Sequence, residues 1–593
     1  MNANPEISPL TEEIVSDNGK GSLFYRVHPY PTKVPPSILK RLIEHYTEPG
    51  DLVLDPFCGS GATGYAAKLA GRDFSLSDLS PYAVHIARGY TASCSTDAID
   101  DALETVSTTL EETRESYTTA CRSCERHVEG RYWVWSWEFE CPTCDNAWTL
   151  DPDEGQSGRG KVTCPDCDTE HSQSDVYAGR DIPLRVAYKC SECNSKAVER
   201  QVSPAERARL VELEDGDVGP SRYDRPMMHV EDGTAWGDQY RDGNHDYVNS
   251  VSSFFTGRNW AVLVELRETL ESLDNARARN ALEFAFTASL YTSSKMVRCR
   301  PKRDGRSNNP GTLYLPPLAL EQNVFRVFER RVKKVRKLKE KLSGAEAQQM
   351  LTADGIAPRG DGTVAVRDAR ELDDLQDGTV DYVVTDPPFG DSLQYAELNF
   401  IPESFIGTFT EAENEIVVNE TRAVSETEYL DRMGDAFEEA YRVLKPGKYM
   451  SIIFNNTSPL VWAGMKRHLL ETGFDLPAVT GIVKGHASKN QTVYAGSTSR
   501  FDPVFHARKP TDAKPDSTEI VEYSEEESEE LAVDVAVAVI EEDSDKEFAN
   551  SIAYIHSHVT QRLLEMDAIV HPPAPKRLTR LLEEAGRADI VEA

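Results

Sequence analysis

Long apolar runs are missing from this sequence. No stretch of the 593 residues approaches the roughly 18 consecutive apolar residues that mark a transmembrane helix. The first residues, MNANPEISPLTEE, also lack the basic and then apolar pattern of an export leader. We therefore expect a cytoplasmic protein without a membrane anchor.

Basic side chains are scarce as well. The sequence has 65 Lys and Arg against 99 Asp and Glu, which gives a formal net charge of −34. Because nucleic acids are bound largely through Lys and Arg, this chain needs local basic patches to bind them. An acidic excess over a whole protein is also typical of a salt-rich cytoplasm, since about 1 M salt shortens the Debye length to roughly 3 Å. The composition therefore favours a halophilic archaeon as the source.

Cysteines are few, but most of them are clustered. Eight of the 11 form four Cys-x-x-Cys pairs, and such clustering without an export leader favours metal over disulfides. The 16 residues between the first two pairs match a structural zinc site, and the 22 residues between the last two are also workable. The spacing predicts two zinc sites, one of Cys121, Cys124, Cys141 and Cys144 and the other of Cys164, Cys167, Cys190 and Cys193.

Two alternatives to that assignment remain open from the sequence. The pairs could be shared crosswise between the two ribbons, or they could act as redox pairs. Four thiolate ligands leave no open coordination position for water, so zinc ions in these sites would stabilise the fold rather than catalyse a reaction.

Alternating strand and helix patterns occur in two separated parts of the chain. DLVLDPF, ATGYAAKLAG and DFSLSD follow one another in the first part, and the alternation resumes near GTVAVRDA. This order predicts an α/β fold with a doubly wound, Rossmann-like sheet that a zinc-ribbon and helical insert interrupts. The predicted segments are a loose N-terminus (1–20), the first core part (21–115), the zinc-ribbon insert (116–202), a helical insert that is the candidate target-recognition segment (203–360), the second core part (361–508), and an acidic linker with a helical tail (509–593).

Two glycines follow the first predicted core strand, in LVLDPFCGSGATG. Gly59 and Gly61 stand between a strand and a helix, where the missing Cβ atoms let backbone N–H groups approach a ligand. Asp78 ends the next strand, where a carboxylate can accept hydrogen bonds from a ribose diol. NAD enzymes and ordinary turns share such a loop, but a P-loop is excluded because Gly-Lys-Ser/Thr is missing.

A second apolar strand ends in the rigid turn Asp386-Pro387-Pro388-Phe389. Proline fixes φ at about −65°, so the Asp386 carboxylate and the Pro387 carbonyl are held as two acceptors with little reorganisation. Acceptors on both N–H bonds of a nucleobase amino group free its nitrogen lone pair to attack a methyl donor. Phe389 offers a flat face to a base rotated out of its stack. A proline-ended strand and loop is the purely structural alternative.

The two stretches together resemble DNA amino-methyltransferases that use S-adenosylmethionine. DPFCGSG is similar to their motif I, DPPF to motif IV, HPYPTKVPPSILKRLI to motif X and VRDARELDDL to motif III, and DSLQYAELNF is similar to zinc-ribbon-containing adenine-specific DNA methylases. Ala62 departs from the family, whose members usually carry Thr there. The resemblance implies that the catalytic residues are Asp386, Pro387, Pro388 and Phe389, and that the cofactor-binding residues are Thr32, Asp55, Phe57, Gly59, Gly61, Asp78 and Asp368. It also makes Tyr395 and Asn399 candidate pocket residues.

The insert contains two basic patches and an aromatic strand. Arg326 to Lys341 has nine Lys or Arg against two Glu, with apolar residues at helical spacing, which predicts an amphipathic helix with a basic outer face. The predicted contacts to DNA phosphates are Arg326, Arg330, Lys333, Lys334 and Lys337, with Arg298, Arg300 and Arg303 from the patch Lys295 to Arg306. Solvated basic faces are the alternative. Alternating Trp133, Trp135, Trp137 and Phe139 predict the apolar side of a ribbon hairpin, or else a base-stacking surface.

The resemblance implies a site-specific methyltransferase that acts on a flipped base in double-stranded DNA. Adenine N6 is favoured because the turn begins with Asp rather than Ser. The alternatives are an N4-cytosine DNA methyltransferase, an N2-guanine RNA methyltransferase and a zinc-ribbon DNA-binding protein without activity. Carbon-5 cytosine methylation is excluded because it needs a Pro-Cys dipeptide, and the sequence has none. Restriction-modification, phage defence and an orphan epigenetic mark are the three open contexts, with restriction or defence proteins as candidate partners.

Overall fold

The computed structural model describes residues 7–15, 22–153, 160–193, 196–215, 221–226, 248–300, 305–307, 313–349, 361–391, 393–483, 501–512, 520–542 and 552–587. These residues form two large sheets and a small hairpin, with helices packed around them. Within the described residues, no helix combines the length and the apolar character needed to cross a membrane.

The strands of the described residues, in chain order, are β1 (Ile14–Val15), β2 (Leu52–Asp55), β3 (Asp73–Asp78), β4 (Thr118–Ala120), β5 (His127–Glu140), β6 (Ala147–Thr149), β7 (Lys161–Thr163), β8 (Glu170–Ser172), β9 (Tyr177–Tyr188), β10 (Val198–Gln201), β11 (Arg298–Arg300), β12 (Gly305–Ser307), β13 (Leu318–Gln322), β14 (Gly362–Val366), β15 (Val380–Thr385), β16 (Leu444–Ile453), β17 (Asp475–Val483) and β18 (Phe501–Arg508).

The α-helices of the same residues are α1 (Leu23–Val27), α2 (Pro36–Tyr46), α3 (Ala62–Ala70), α4 (Pro81–Thr91), α5 (Thr96–Thr109), α6 (Glu111–Arg114), α7 (Pro204–Asp215), α8 (Gly257–Glu271), α9 (Ala276–Thr287), α10 (Leu290–Ser293), α11 (Val324–Gln349), α12 (Tyr395–Ile406), α13 (Glu426–Val443), α14 (Pro459–Thr472), α15 (Glu525–Glu542), α16 (Ile552–Glu565) and α17 (Pro575–Glu584). Short 3₁₀ turns lie at Glu115–Tyr117, Val251–Phe254 and Ala412–Asn414.

The first sheet has the strand order β1-β17-β18-β16-β15-β2-β3-β14. Its neighbouring strands are parallel except where β18 pairs with β16 and β17. The direction in which the chain builds the sheet reverses between β2 and β15, and at such a switch point the carboxyl ends of the strands open a crevice. The predicted α/β, Rossmann-like fold interrupted by an insert is therefore confirmed.

The two strands at the switch point are short and apolar. β15 has the sequence VDYVVT and is buried at all six positions, and the last three residues of β2 are also buried. β-Branched and aromatic residues suit a strand with helices on both faces of the sheet. Burial on both faces fixes the register of β2 and β15, and with it the positions of the polar residues at their ends.

The second sheet belongs to the insert, and its order is β10-β9-β5-β13-β11-β12, with β4 and β6 also paired to β5. β5 and β9 form a long antiparallel hairpin. Trp133, Trp135, Trp137 and Phe139 on β5 are buried, and the Arg258 guanidinium lies 3.8 Å from the centre of the Trp133 ring. These side chains form the apolar side of the hairpin, as the first interpretation predicted. The base-stacking interpretation is wrong because the rings are not accessible.

The last three helices form a small cluster against the first sheet. Residues of α15, α16 and α17 share a core of their own, which includes Val559, Leu563 and Leu578. The Lys466 ammonium on α14 donates a 2.8 Å hydrogen bond to the carbonyl of Leu564, and this contact joins the cluster to the core domain.

Candidate active site and metal clusters

The switch point brings Asp55 and Asp386 to one wall of a cleft. Asp55 is the last residue of β2 and Asp386 directly follows β15. The two strands are paired so that Leu54 lies opposite Val383. Thr385 and Asp55, 330 positions apart in the sequence, are joined by a 2.8 Å hydrogen bond from Thr385 Oγ1 to Asp55 Oδ1. The two motifs that the sequence singled out are therefore neighbours in the fold.

The cleft beside these residues has three walls, from the N-terminal segment and glycine loop, from the ends of β3 and β14, and from the region that follows β15. Its lining residues are Tyr30, Thr32, Lys33, Val34, Leu39, Asp55, Pro56, Phe57, Cys58, Gly59, Ser60, Ala62, Thr63, Asp78, Leu79, Ser80, Asp368, Ala369, Asp386, Pro388, Tyr395, Thr410, Asn414, Glu415, Ile416 and Val417. Eight predicted site residues are among them, namely Thr32, Asp55, Phe57, Gly59, Asp78, Asp368, Asp386 and Pro388. Gly61, Pro387 and Phe389 are not.

Glycine is required at the two loop positions for different structural reasons. Gly59 has φ +45°, and a Cβ atom there would lie 3.3 Å from the Tyr30 ring. Gly61 has φ +73° and caps α3, and a Cβ atom there would lie 2.5 Å from Cα of Ala87 on α4. Such a distance is a clash with backbone, which cannot move aside easily. Gly59 thus keeps the cleft open, whereas Gly61 permits close packing of two helices.

Asp78 closes one end of the cleft. Its Oδ2 accepts a 2.8 Å hydrogen bond from the N–H of Gly59, and its Oδ1 accepts a 2.9 Å bond from the N–H of Ser80. Burial raises the pKa of Asp78 from 3.8 to about 6, even though these two bonds act to lower it. Each oxygen can accept a further hydrogen bond from a ligand hydroxyl, since a carboxylate has about four acceptor positions.

Asp55 is held by hydroxyl groups from two elements. Its Oδ2 accepts a hydrogen bond from Thr63 Oγ1 on α3 (2.5 Å), and its Oδ1 accepts from Thr385 and from the N–H of Phe57 (3.1 Å). Burial raises the pKa of Asp55 from 3.8 to about 6, and the hydrogen bonds offset part of that rise. Asp55 therefore fixes the start of the glycine loop relative to β15.

The Asp386 turn is held from behind by two side chains. Tyr429 donates a 2.7 Å hydrogen bond to the carbonyl of Pro388, and Asn456 donates a 3.1 Å bond to the carbonyl of Phe389. The Phe389 ring packs edge-on against Phe454 at a centroid distance of 5.4 Å. Phe389 is half-buried, and its role as a stacking face for a base stays a prediction.

Two tyrosines line the cleft side by side. The rings of Tyr30 and Tyr395 are stacked, with centroids 6.3 Å apart and planes 20° apart, and the Tyr395 hydroxyl lies 3.3 Å from Thr32 Oγ1. Tyr395, a candidate from the sequence, thus lines the cleft and contacts the predicted cofactor residue Thr32. Asn399 lies behind the cleft, where its Nδ2 donates a 3.0 Å bond to Ser80 Oγ.

Lys33, which follows Thr32, presents no free ammonium to the cleft. Its Nζ donates hydrogen bonds to the carbonyls of His28 (2.6 Å) and Phe24 (3.5 Å) and to the hydroxyl of Tyr90 (3.1 Å). These bonds use the three donors of an ammonium group. Burial, together with nearby Arg331, lowers the pKa of Lys33 from 10.5 to about 7. Lys33 therefore stabilises the N-terminal segment rather than binding an anion.

Asp368 follows β14 and lines the cleft in an ion pair with Arg370. Arg370 Nη2 lies 2.6 Å from Asp368 Oδ2, and its Nε donates a 3.0 Å bond to Oδ1. The same Nη2 lies 3.4 Å from Asn414 Oδ1, on the segment that forms the third wall. Asp368 is thus near the position that the resemblance implies, with part of its accepting capacity already used.

The predicted amphipathic helix is α11. Its apolar residues Phe325, Phe328, Val332, Val335 and Leu338 are buried. Some of its cations are occupied, because Arg326 pairs with Glu129 at 3.2 Å, Arg336 pairs with Asp100 at 3.0 Å, and Lys339 is buried. The exposed basic residues follow one stripe at spacings of three and four positions, Arg330, Lys333, Lys337 and Lys341. We call these four residues the basic stripe.

Lys334 lies beside the basic stripe and near Arg26, in the N-terminal segment. Burial lowers its pKa from 10.5 to about 8, and the positive charges of Arg331, Arg26 and Arg330 lower it further. Arg331 itself donates hydrogen bonds to the carbonyl of Arg26 (3.2 Å) and to Thr292 (3.3 Å). Cations are thus concentrated here in a chain whose net charge is strongly negative.

The structure describes only part of the second predicted basic patch. Lys295 lies half-buried between Asp181 (2.9 Å) and Glu214 (3.4 Å), so its charge is neutralised. Arg298 is half-buried on β11, Arg300 ends the same strand, and Arg303 lies outside the described residues. Lys295 entered this patch on sequence position alone, and its inclusion was wrong because its carboxylate partners come from β9 and α7.

The eight paired cysteines form two four-sulfur clusters. One contains Cys121, Cys124, Cys190 and Cys193 and the other contains Cys141, Cys144, Cys164 and Cys167, with ligand atoms within 4.8 Å of one another. The prediction that neighbouring Cys-x-x-Cys pairs share a site was therefore wrong. The alternative, in which the pairs are shared crosswise between the two ribbons, is right. The cause is the β5–β9 hairpin, which brings the outer pairs together at its base and the inner pairs together at its tip.

The sulfur spacing fits tetrahedral zinc. The Sγ–Sγ separations are 3.6 Å for Cys141 and Cys167, 3.6 Å for Cys144 and Cys164, and 3.8 Å for Cys124 and Cys190. Four thiolates at about 2.3 Å from a tetrahedral zinc ion are roughly 3.8 Å apart. The two clusters could hold zinc, and they lie in the insert rather than in the cleft.

Several cleft residues carried no recognised signal in the sequence. Ser80 caps α4 directly before Pro81, a helix-start pattern that could have identified it. Thr410, Asn414 and Glu415 come from the segment after α12, where neither spacing nor composition indicates a site. Their approach to the glycine loop depends on how α12 packs across the sheet.

Comparison with known proteins finds a similarity in the first part of the chain. Residues 9–89, which contain the glycine loop and Asp78, match the family model described as DNA methylase, of the N6/N4 type. This segment is similar to the N6/N4 DNA methylases. The matched segment supplies the first cleft wall and part of the second, since Asp368, Asp386 and Thr410 lie beyond it.

Individual relatives match over short segments. The chain is 41% identical over 78 residues to Type II methyltransferase M2.DpnII of Streptococcus pneumoniae, which is 12% of this chain and 29% of that protein. It is 51% identical over 45 residues to DNA adenine methyltransferase YhdJ of Escherichia coli K12, which is 8% of this chain and 15% of that protein. The chain thus spans less than a third of the length of these curated relatives.

One solved structure also matches. It is a crystal structure from Thermus thermophilus, described as a candidate DNA modification methylase. The match covers 37% of this chain and 93% of that chain, with 16% sequence identity and a TM-score of 0.16.

Proposed function

We propose that this protein is an S-adenosylmethionine-dependent DNA methyltransferase that modifies the exocyclic amino group of a flipped base, adenine N6. The observation that carries the proposal is the single cleft in which Gly59 and Asp78 lie with Asp386. Adenine is favoured because the turn begins with Asp. The matching Escherichia coli relative is a DNA adenine methyltransferase by name.

The residues of the cleft fit the chemistry of this cofactor. Asp78 is half-buried, already receives two backbone N–H bonds, and keeps acceptor positions for ribose hydroxyls. The missing Cβ of Gly59 leaves room beside the Tyr30 ring. S-adenosylmethionine, when bound, supplies an electrophilic methyl group on a positively charged sulfur. The carboxylates of Asp55 and Asp386 make the cleft favourable for a cation.

The Asp386 turn would hold the target amino group. The Asp386 carboxylate accepts a hydrogen bond from one N–H of the base, and the carbonyl of Pro387 accepts one from the other. These bonds favour a pyramidal nitrogen with an available lone pair. Because Tyr429 and Asn456 hold the carbonyls of the next two residues, the acceptors are fixed before the base arrives.

The basic stripe on α11 is the proposed contact to DNA phosphates. Exposed Arg330, Lys333 and Lys337 are spaced along one helix face, and half-buried Lys334 lies among other cations. A bound phosphate would relieve the repulsion between these charges, so the patch suits an anionic backbone. Arg326 is a weaker candidate because it pairs with Glu129.

The decisive experiment is nucleoside analysis by mass spectrometry. The zinc-loaded full chain is incubated with methyl-labelled S-adenosylmethionine and a random-sequence DNA duplex, and a structured RNA is tested in parallel. We expect labelled N6-methyladenine, at a rate reduced by about 100-fold or more in Asp386→Ala. Labelled N4-methylcytosine would instead identify cytosine in DNA as the target, and labelled N2-methylguanine would identify guanine in RNA. Absence of labelled nucleoside in every substrate would overturn the proposal.

A further inference from the structure

Glu403 is a buried carboxylate on α12 that lies next to the cleft without lining it. Its side chain is 1% exposed. Oε1 accepts hydrogen bonds from Ser80 Oγ (2.7 Å) and Thr410 Oγ1 (2.7 Å), and Oε2 accepts one from the N–H of Thr410 (2.8 Å). Ser80 and Thr410 both line the cleft. One carboxylate therefore joins two walls that come from distant parts of the chain.

The Ser80 side of this link leads to Asp78. The N–H of Ser80 donates a 2.9 Å bond to Asp78 Oδ1, so the carboxylate proposed to bind ribose depends on the backbone position of Ser80. Ser80 Oγ also accepts bonds from Asn399 Nδ2 (3.0 Å) and from the N–H of Ala83 (3.4 Å). The Ser80 hydroxyl thus donates to Glu403 while two N–H groups hold its oxygen.

The Thr410 side leads to the third wall. Thr410 begins the segment that continues to Asn414, Glu415, Ile416 and Val417, all of which line the cleft. The far part of this segment is held separately, because Glu415 accepts a 2.8 Å bond from the N–H of Ala396 and pairs with Arg422 at 2.8 Å. Glu403 is therefore the contact that sets the distance between the start of this wall and Asp78.

A carboxylate suits this position better than an amide. Ser80, Thr410 and their backbone neighbours all point donors at Glu403, and both of its oxygens accept. In Glu403→Gln one oxygen is replaced by an NH₂ group that faces a donor, so at least one bond is lost. Burial raises the pKa of Glu403 from 4.5 to about 7, and the bonds from Thr410 and Ser80 oppose that rise. Ionising a carboxyl group in so buried a position is costly, which argues for a specific use.

We propose that Glu403 is a positioning residue for the cofactor, which fixes the width of the slot between Asp78 and Thr410 through its bonds to Ser80 and Thr410. The inference rests on the proposed function, since the ligand is S-adenosylmethionine or its product. It gives α12, the helix that follows the Asp386 turn, a role in cofactor binding. Cofactor affinity is therefore coupled to the helix that follows the catalytic turn.

The test is calorimetric binding of S-adenosylhomocysteine to the zinc-loaded full chain. We expect Glu403→Gln to raise the Kd roughly tenfold. We expect Thr410→Val to raise it as well and Thr410→Ser, which keeps the hydroxyl, to bind like wild type. The double variant Glu403→Gln with Thr410→Val should lose less than the two single losses combined, because both remove the same link. In steady-state assays, Glu403→Gln should raise the KM for S-adenosylmethionine by a larger factor than it lowers kcat.

A second buried carboxylate provides the matched control. Glu321 in the insert is 1% exposed, pairs with Arg258 at 2.6 Å and lies outside the cleft lining. Glu321→Gln should lower thermal stability without changing the Kd. Unchanged affinity in Glu403→Gln, or a loss that Glu321→Gln reproduces, overturns the inference while the proposed function stands. Wild-type protein that binds no S-adenosylhomocysteine overturns both.

Discussion

Thr385 Oγ1 donates a 2.8 Å hydrogen bond to Oδ1 of Asp55, and this bond joins the ends of two parallel strands that carry the two halves of the cleft. Thr385 directly precedes Asp386, and Asp55 begins the loop that leads to Gly59. The bond therefore couples the position of the catalytic turn to the position of the glycine loop. Both residues are buried, so water cannot substitute easily for either partner.

Replacing Thr385 by Val removes this hydroxyl while keeping the shape of the side chain. We expect a loss of about 1–3 kcal/mol in the free energy of unfolding, because the buried Asp55 oxygen loses the hydrogen bond that it accepts. The affinity for S-adenosylhomocysteine should fall too. Denaturant unfolding and calorimetry measure the two effects. Thr385→Ser, which keeps the hydroxyl, is the control, and a Val variant as stable and as tight-binding as wild type would contradict the link.

The raised pKa values of Asp55 and Asp78 predict a pH dependence with opposite signs for folding and binding. Each folded-state pKa rises from 3.8 to about 6, chiefly through burial. Between these two values the folded state holds more protons than the unfolded state, so their contribution to stability falls as pH rises through that window and is constant above it. Ligand hydroxyls need the ionised carboxylate as acceptor, so cofactor affinity should instead increase from about pH 5 to about pH 7.

Isothermal calorimetry with S-adenosylhomocysteine across this pH range tests the expectation. The rise in affinity should be centred near the pKa of about 6 that the two carboxyl groups share. Asp78→Asn should bind more weakly and show a shallower profile, since only Asp55 then titrates. A wild-type Kd that is constant over this range would contradict the assignment of Asp78 as the hydroxyl acceptor.

The nested cysteine clusters predict which double variants lose which zinc ion. Cys121 and Cys190 belong to one cluster and Cys141 to the other. Native mass spectrometry should find two zinc ions in wild type and one in the double variant Cys121→Ser, Cys190→Ser, because both changes remove the same site. The double variant Cys121→Ser, Cys141→Ser should hold none. The opposite result would restore the sequential pairing of neighbouring cysteines.

The basic stripe predicts a change in the salt dependence of DNA binding. Lys333→Ala with Lys337→Ala should reduce the slope of log K against log salt by about 2, since each phosphate contact contributes about 0.9. Arg336→Ala is the matched control on the same helix, because Arg336 already pairs with Asp100. Fluorescence anisotropy from low to high salt measures the slopes. Equal slopes for the stripe variant and wild type would exclude this face as a phosphate contact.

The sequence predicted what depends on local chemistry. The Asp-Pro-Pro turn and the glycine loop require particular backbone conformations, and both lie where the strand pattern indicates. Gly61 shows what the sequence could not predict. Its place between a strand and a helix was expected, but its close packing against Ala87 depends on the position of α4. Residues such as Glu403 and Thr410 follow no periodic pattern, and the Ser80 partner of Glu403 is hundreds of positions away.

The errors also have physical causes. The spacing of the cysteine pairs gives the kind of site but not its membership, which is set by the pairing of β5 with β9. The positive charge of Lys295 is visible in the sequence, whereas the neighbouring Asp181 and Glu214 are brought to it only by the fold.

The most direct test of the central claim is a crystal structure of the full chain with S-adenosylhomocysteine. The account predicts the ribose hydroxyls on the Asp78 carboxylate, the glycine loop beside the ligand, and the sulfur facing Asp386 across a gap that admits one amino group. A ligand bound elsewhere, or one whose sulfur points away from Asp386, would contradict it.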